Sequence, residues 1–295
     1  MRIATHDGSF HADEVFALAT LTLFDVAEPV EIVRTRHPAA LAGADLRVDV
    51  GFRDDPSAGD FDHHQRDFTR ARDNGVRFAS FGLVWREFGV RACDGDEHVA
   101  AAVDATLVQA VDAGDSGQRL TETLVPDVHP ITVGGVIGGL NGRWDEALSS
   151  EQERERFDAA LALARGILAR EIAAVASARR AVTIVEQALA SAVDPRLVEL
   201  PVNAPWKRAL IPASAQALYV ICPKRQGYGL EGVPRELGSF ELRRELPAGW
   251  AGLEGEPLVK ATGVPDAVFC HAKRFLVVAG SRAGILRLAE LALGG

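Results

Sequence analysis

The sequence predicts an α/β fold, a doubly wound and mainly parallel sheet, followed by a smaller C-terminal α+β domain across a cleft. Two features predict it. Through the first third, short apolar, β-branched runs alternate with helical stretches, as in a parallel sheet whose crossovers are helices. After Asp194-Pro195 the character changes to segments bearing Pro, Gly and Trp, with several β-like runs. A chain of 295 residues is long for one compact domain and comfortable for two. A boundary near 190, to within about ten residues, gives domains 1–190 and 191–295.

In chain order, Arg2-Ile3-Ala4 opens as a strand, and the apolar run Val15 to Phe24 reads as a buried helix entered through Ala12-Asp13-Glu14. Glu31–Arg34, Leu46–Val50 and Asp60–His64 read as strands, and 79–89 and 97–112 as helices. Residues 151–192, rich in Ala, Glu and Arg, form one or two extended helices. Beyond them Leu197–Leu200, Ala217–Cys222, Phe240–Leu242 and Ala267–Val278 are β-like, and Ala283–Leu293 is an amphipathic helix. Gly134, Gly135, Gly138 and Gly139 read as a turn, because no Lys-Ser/Thr follows to complete a phosphate loop.

Composition narrows the function classes. Hydrophobic residues make up 47% and charged residues 25%, an ordinary soluble balance. No run approaches the ~18 apolar residues of a membrane span, and the polar N-terminal residues do not resemble a signal peptide, so a cytoplasmic protein is expected. Cys93, Cys222 and Cys270 are too far apart for a cysteine metal site or disulfide framework and read as reduced, packed thiols. A net charge of −9 argues against a surface that coats nucleic acid through a broad basic field. It does not exclude an enzyme that grips the end of a short strand.

Of eight histidines, five (His6, His11, His37, His63 and His64) fall in the first 64 residues. His6 follows the first strand, and Gly8-Ser9 suits a turn that folds His11 and Asp13 back toward it. Open α/β sheets place ligand sites at these carboxyl ends. Asp49 sits inside the apolar strand Val48-Asp49-Val50, where a carboxylate is costly to bury unless a metal or an arginine neutralises it. In Asp62-His63-His64, successive side chains of an extended segment point to opposite faces. His63 is therefore assigned to a metal, His64 to a substrate phosphate, and Asp62 to holding a tautomer or a loop. Asp112 ends an apolar helix beside glycines, a suitable place for a carboxylate that faces a cleft. His37, before Pro38, reads as a loop residue, and His98 and His129 as solvated.

The residues His6, His11, Asp13, Asp49, His63 and Asp112 form a donor set of imidazole and carboxylate without thiolate. That set suits Mn²⁺, with Fe²⁺, Co²⁺ or Zn²⁺ as alternatives. Three of each is too many for one open ion and suits two, ~3.5–4 Å apart, which activate water and neutralise a phosphoryl oxygen.

At these residues the sequence resembles the DHH phosphoesterase superfamily, and within it the MYG-type branch, named for a melanocyte proliferating gene. The resemblance runs through THDGSFHADE (5–14), RTRHP (34–38), VDVG (48–51), FDHHQRDF (61–68), AVDAGDSG (110–117) and GGLNGRW (138–144). It continues through FELRRELPAGWAGL (240–253), TGVPDAVFCHAKRF (262–275) and AGSRAGILRLA (279–289), and so covers nearly the whole chain. It implies a DHH-type catalytic domain and a smaller substrate-binding domain. It also implies two Mn²⁺ bridged by Asp49, with His6 and His11 on one ion and Asp13, His63 and Asp112 on the other, and a His64 that contacts phosphate. His11 stands where many relatives have Asp.

For the branch, the resemblance implies 3′–5′ exonuclease action on RNA. The expected reaction is thus hydrolysis at the 3′ end of a short RNA, with Asp49, His63, His64 and Asp62 at the chemistry. Arg244, His271, Lys273 and Arg274 are candidate phosphate contacts, since guanidinium forks match phosphate, although basic pairs are usually a solvated face; Lys224-Arg225 is a weaker candidate. Two rivals remain: the same site acting on small nucleotides, and a metal-stabilised binding protein without turnover. Assembly as a homodimer is left open.

Overall fold

A computed structural model describes residues 1–23 and 29–294. The chain divides into two compact units, Met1–Ala176 and Ser177–Gly295. Each carries its own sheet and its own apolar core.

In the first unit, β1 (Arg2–Thr5) is followed by α1 (Ala12–Leu21), β2 (Glu31–Arg34), α2 (Pro38–Ala42), β3 (Leu46–Val48), β4 (Asp54–Asp55) and β5 (Asp60–Phe61). The sheet order is β2-β1-β3-β5-β4. β1, β2, β3 and β5 run parallel, and only the two-residue β4 is antiparallel. Helices α3 (Ser80–Ala92), α4 (Glu97–Val103), α5 (Gln109–Asp115) and α6 (Val133–Gly138) follow, with one π-helical turn, Asp104–Val108, between α4 and α5. α1 is buried along its whole length, so its apolar run shows no amphipathic stripe. Phe24, the expected end of that run, lies outside the described residues.

The parallel β1–β3 core sets every carboxyl end on one edge, and the chain turns sharply there. Asp49 leaves β3 at φ 56°, Gly51 has φ 102° and Phe52 φ 54°. The strands expected over 46–50 and 60–64 are accordingly shorter, ending at Val48 and Phe61. The glycines at 134, 135 and 138 belong to α6, whose N-cap Thr132 accepts a bond from the Gly135 amide at 3.0 Å. This replaces the expected turn: a capped helix start tolerates glycine well.

α7 (Ser150–Ser191) is one continuous helix, and the division between units falls inside it, whereas the sequence places a boundary near 190. The second unit then holds β6 (Leu197–Glu199), α8 (Lys207–Ala213), β7 (Tyr219–Pro223), β8 (Tyr228–Gly232), α9 (Glu256–Thr262), β9 (Ala267–Cys270), β10 (Leu276–Ala279) and α10 (Arg282–Gly294). Its sheet, ordered β6-β7-β8-β10-β9, is parallel only at β6–β7. The apolar stretch 267–278 is a hairpin rather than one run, reversed through His271–Phe275 with Arg274 at φ 55°. Phe240–Leu242 is not a strand; Leu242 makes only an isolated bridge to Pro234, and Phe240 is fully exposed. The three cysteines are free and buried, and no helix among the described residues is long and apolar enough to cross a membrane.

Candidate metal centre

The cluster is built where β1, β3 and β5 end. His6 follows β1, and its Nδ1 pairs with the Asp7 carbonyl at 3.0 Å. Its Nε2 then lies 3.1 Å from Glu14 Oε1 and 3.3 Å from Asp49 Oδ2. Gly8, at φ 85°, turns the chain back, so that His11 caps α1 and its amide donates to Glu14 Oε1 at 2.7 Å. Asp13 and Glu14, in the first turn of α1, are buried. Asp49 is brought in by the left-handed end of β3. Beyond β5, His63 Nε2 lies 3.4 Å from Asp49 Oδ1, 3.6 Å from Asp13 Oδ2 and 3.2 Å from Asp115 Oδ2.

The N-terminus of α3 closes the far side. Ser80 donates its hydroxyl to Asp49 Oδ1 at 2.9 Å and its amide to Asp13 Oδ2 at 3.3 Å. A helix N-terminus is partly positive and its first amides lack intrahelical partners, so carboxylates are held well there. Three groups result, each with donor atoms within 4.8 Å of one another: His6, His11, Glu14 and Asp49; Asp49, His63 and His64; and His11, Asp13 and Asp115.

Without a cation this crowd is electrostatically unbalanced. Burial pushes the Asp13 carboxyl well above the usual range, and the neighbouring Asp49, Glu14 and Asp115 push it the same way. Burial would also raise Asp49, but its bonds from His6, His63 and His64 outweigh that and hold it well below the carboxylate range. The partners answer in kind. Burial lowers the His6 and His63 imidazoles, but hydrogen bonds to carboxylates more than offset it and set them at about 10 and about 9. For His64, bonds to Asp49 and Asp62 prevail over burial and set it at about 10. Asp13 Oδ1 and Glu14 Oε2 are buried with no hydrogen-bond partner, and His63 Nε2 faces three carboxylates at once. Orphaned buried polar atoms are costly. Together with the converging imidazoles they are a donor set that fits hard or borderline divalent cations.

The structure places the sequence-selected residues as follows. His6, His11, Asp13, Asp49 and His63 come together. Asp112 does not join them: fully buried, it receives Arg72 Nη1 at 2.8 Å and the Gly82 amide at 2.9 Å. Burial pushes its carboxyl up to about 7 although Arg72 stands beside it. Arg72 also binds Asp104 and lies over the Phe78 ring. Asp115, at the end of α5, is the acid that faces His63. It stands three residues on in the same AVDAGDSG motif, a signal the sequence offered. Glu14, within THDGSFHADE, and Ser80 are further residues that sequence reasoning passed over.

The opposite-face argument for His63 and His64 does not hold, because β5 stops at Phe61. Both rings reach Asp49 Oδ1, with His64 Nδ1 at 3.3 Å, and their centroids are 4.3 Å apart. They differ in exposure instead: 11% for the His63 side chain and 51% for His64. Asp62 orients His64, accepting from its amide at 3.0 Å and meeting its Nδ1 at 2.9 Å.

In the second unit, His271, Lys273 and Arg274 share the β9–β10 turn, with the Lys273 amide donating to His271 Nδ1 at 3.1 Å. Arg274 pairs with Glu245, and Arg244 donates to the Leu293 carbonyl at 3.3 Å. Both guanidinium groups thus have partners of their own within that unit.

Comparison with known proteins decides the lineage. The model of the MYG1 exonuclease family, described as an uncharacterised protein family (UPF0160), matches residues 2–293. This chain belongs to that family. Among its MYG1 relatives, the MYG1 exonuclease of Homo sapiens is 33% identical over 99% of this chain and 85% of its own length. The Bos taurus MYG1 exonuclease is 32% identical over 99% and 84%, and the MYG1 protein of Chlamydia trachomatis 33% over 94% and 91%. No solved structure gives a significant match. The residues clustered around Asp49 therefore stand in a MYG1-type chain, nearly all of which the family model spans.

Proposed function

We propose that this protein is a metal-dependent phosphodiesterase of DHH type that removes nucleotides from the 3′ end of short RNA. One observation carries the reading: acids and imidazoles from four distant segments, at 6–14, 49, 63–64 and 115, converge, and two of their buried carboxylate oxygens, on Asp13 and Glu14, have no hydrogen-bond partner. The exonuclease names of the relatives supply the substrate class. Asp49, with both oxygens approached, suits a bridging ligand. His6 and His11 would hold one ion; Asp13, His63 and Asp115 would hold the other. Mn²⁺ is the ion this oxygen- and nitrogen-rich set suits best.

Bound divalent ions supply Lewis acidity toward a phosphoryl oxygen and lower the pKa of water. The protein's own residues do the rest. Asp62 and Asp49 hold His64 by Nδ1, which leaves Nε2 as the donor for a phosphate oxygen whose charge grows in the transition state. Ser80 and the α3 N-terminus fix the Asp49 and Asp13 carboxylates, so little reorganisation is needed on reaction. In the second unit, His271 and Lys273 are the proposed phosphate contacts; Arg244 and Arg274 would first have to exchange their present partners.

The test pairs metal analysis with turnover. Asp49→Ala is expected to lose bound Mn²⁺ and to lose hydrolysis of a ribonucleotide dimer by at least about 100-fold. Normal metal content together with normal turnover would remove the reading. Mononucleotide phosphates as the preferred substrate would move it to small nucleotides.

A further inference from the structure

Phe52 lines the cleft that His6, Asp49 and His64 also line, in an arrangement that the metal chemistry does not require. This cleft of about 610 Å³ within the first unit is lined by His6, Asp49 and His64 together with Pro38, Val50 and Phe52. The Phe52 side chain is in the open: the residue is 73% exposed. Its backbone has φ 54°, a conformation unusual for a bulky residue. The conformation is fixed from below, because the Phe52 amide donates to Asp62 Oδ2 at 2.6 Å while Asp62 Oδ1 holds His64. A single buried carboxylate thus bonds both the His64 imidazole and the backbone of Phe52, two residues that line one cleft. Arg36, which pairs with Asp7, adds a cation to the same cleft.

A folded chain gains nothing by holding an aromatic ring in water through a left-handed backbone. The arrangement gains purpose when a flat apolar group covers the ring. The group that arrives joined to a phosphodiester in the same cleft is a nucleobase, and every base offers a face for stacking. We infer that Phe52 is the stacking platform for a base of the substrate, immediately beside the scissile phosphate. This inference rests on the phosphodiesterase reading and adds a substrate requirement to it: a nucleoside with its base in place. Stacking alone tolerates all four bases, so the cleft selects for the presence of a base rather than for its identity.

Two measurements test it. In Mn²⁺, Phe52→Ala is expected to raise KM for a ribonucleotide dimer roughly 10-fold or more with metal content intact, to leave turnover of the matching abasic dimer unchanged, and to be rescued by Phe52→Trp. Equal effects on the base-bearing and abasic dimers, or no effect on either, overturn the inference while the phosphodiesterase reading stands. The second measurement needs no turnover. A dimer carrying 2-aminopurine, added to the chelated protein, is expected to lose fluorescence on stacking with the wild type and to keep it with Phe52→Ala; equal quenching by both overturns the inference. Absence of hydrolysis by the wild type with every divalent metal, with the quenching difference retained, strikes the phosphodiesterase reading alone.

Discussion

His63 Nε2 lies 3.2 Å from Asp115 Oδ2, while Asp112, one turn earlier on α5, points its carboxylate to Arg72. The two acids should therefore fail in different ways. Asp115→Asn is expected to weaken Mn²⁺ binding by at least about 10-fold, as loss of one ligand does. The metal-free protein should change little in stability, since the change relieves crowding at Asp13 but also removes a partner of His63. Asp112→Ala should instead destabilise the protein by about 1–3 kcal/mol, because the buried Gly82 amide loses its acceptor while Arg72 keeps only Asp104. Denaturant melts with chelator, beside metal titrations, separate the two patterns. A stable Asp112→Ala protein that no longer binds metal would reverse the assignment.

Gly82 gives a second handle on that pair. A Cβ there would overlap the Asp112 carboxylate and come within 2.8 Å of both Arg72 Nη2 and the Phe78 ring. Asp112 is fully buried and cannot move to solvent. Gly82→Ala is thus expected to cost about 1–3 kcal/mol by overpacking, and more if the ion pair parts. Serine or threonine should cost at least as much. A neutral Gly82→Ala in thermal melts would mean that Asp112 and Arg72 do not meet as described.

The difference between Asp112 and Asp115 also shows what a sequence can and cannot disclose. The strands β1, β2 and β3 were legible because short apolar runs between helical stretches have few other readings. Glu31–Arg34 coincides with β2. His6, His11, Asp13, Asp49 and His63 were legible because dense imidazole and acid in the first 64 residues is rare in a chain with eight histidines. The sequence offers an arginine as the alternative partner for Asp49, yet it is Asp112 that has one. Arg72 lies forty residues upstream, and spacing says nothing about such a partner. The π turn at Asp104–Val108 adds to the difficulty. It inserts a residue into the helical phase, so faces counted from Glu97 no longer predict which acid of α5 points inward. In the second unit, α8 contains Pro212 and β8 contains Gly229 and Gly232. Residues that ordinarily break elements hid these two.

The imidazoles give the protein a defined pH response. In the metal-free fold His6, His63 and His64 keep their protons up to about 10, about 9 and about 10, whereas a free imidazole releases its proton near 6.5. The folded state therefore binds more protons than the unfolded state between these values. Their contribution to stability is complete below pH 6.5 and is lost as pH rises through 9 to 10. Melts in chelator should show stability falling across that window. Added Mn²⁺ should oppose the fall, because ligation needs the deprotonated rings and gains affinity as pH rises. Calorimetry at pH 8 in buffers of different ionisation enthalpy should report protons released on loading, His6 and His63 among their sources. Flat stability from pH 6.5 to 9 would contradict the described contacts.

Asp62 is the residue whose removal should divide substrate handling from metal binding. Its Oδ1 meets the His64 ring at 2.9 Å, and its Oδ2 takes the Phe52 amide at 2.6 Å, yet it belongs to none of the three metal-suited groups. Asp62→Asn keeps the shape and one amide contact but removes the negative charge. His64 then retains only Asp49 as an anionic partner, so its pKa must fall from about 10 toward the ordinary imidazole value. Histidine ring signals in NMR of the metal-free protein should show that fall, while Mn²⁺ stoichiometry stays as in the wild type. On an RNA dimer, KM should rise by about 10-fold, the cost of a weakened charge-assisted bond to phosphate, and the phosphate-holding form of His64 should be lost at lower pH. Loss of metal from Asp62→Asn would instead make Asp62 part of the cation-binding group, and His64 would no longer be separable from the ligands.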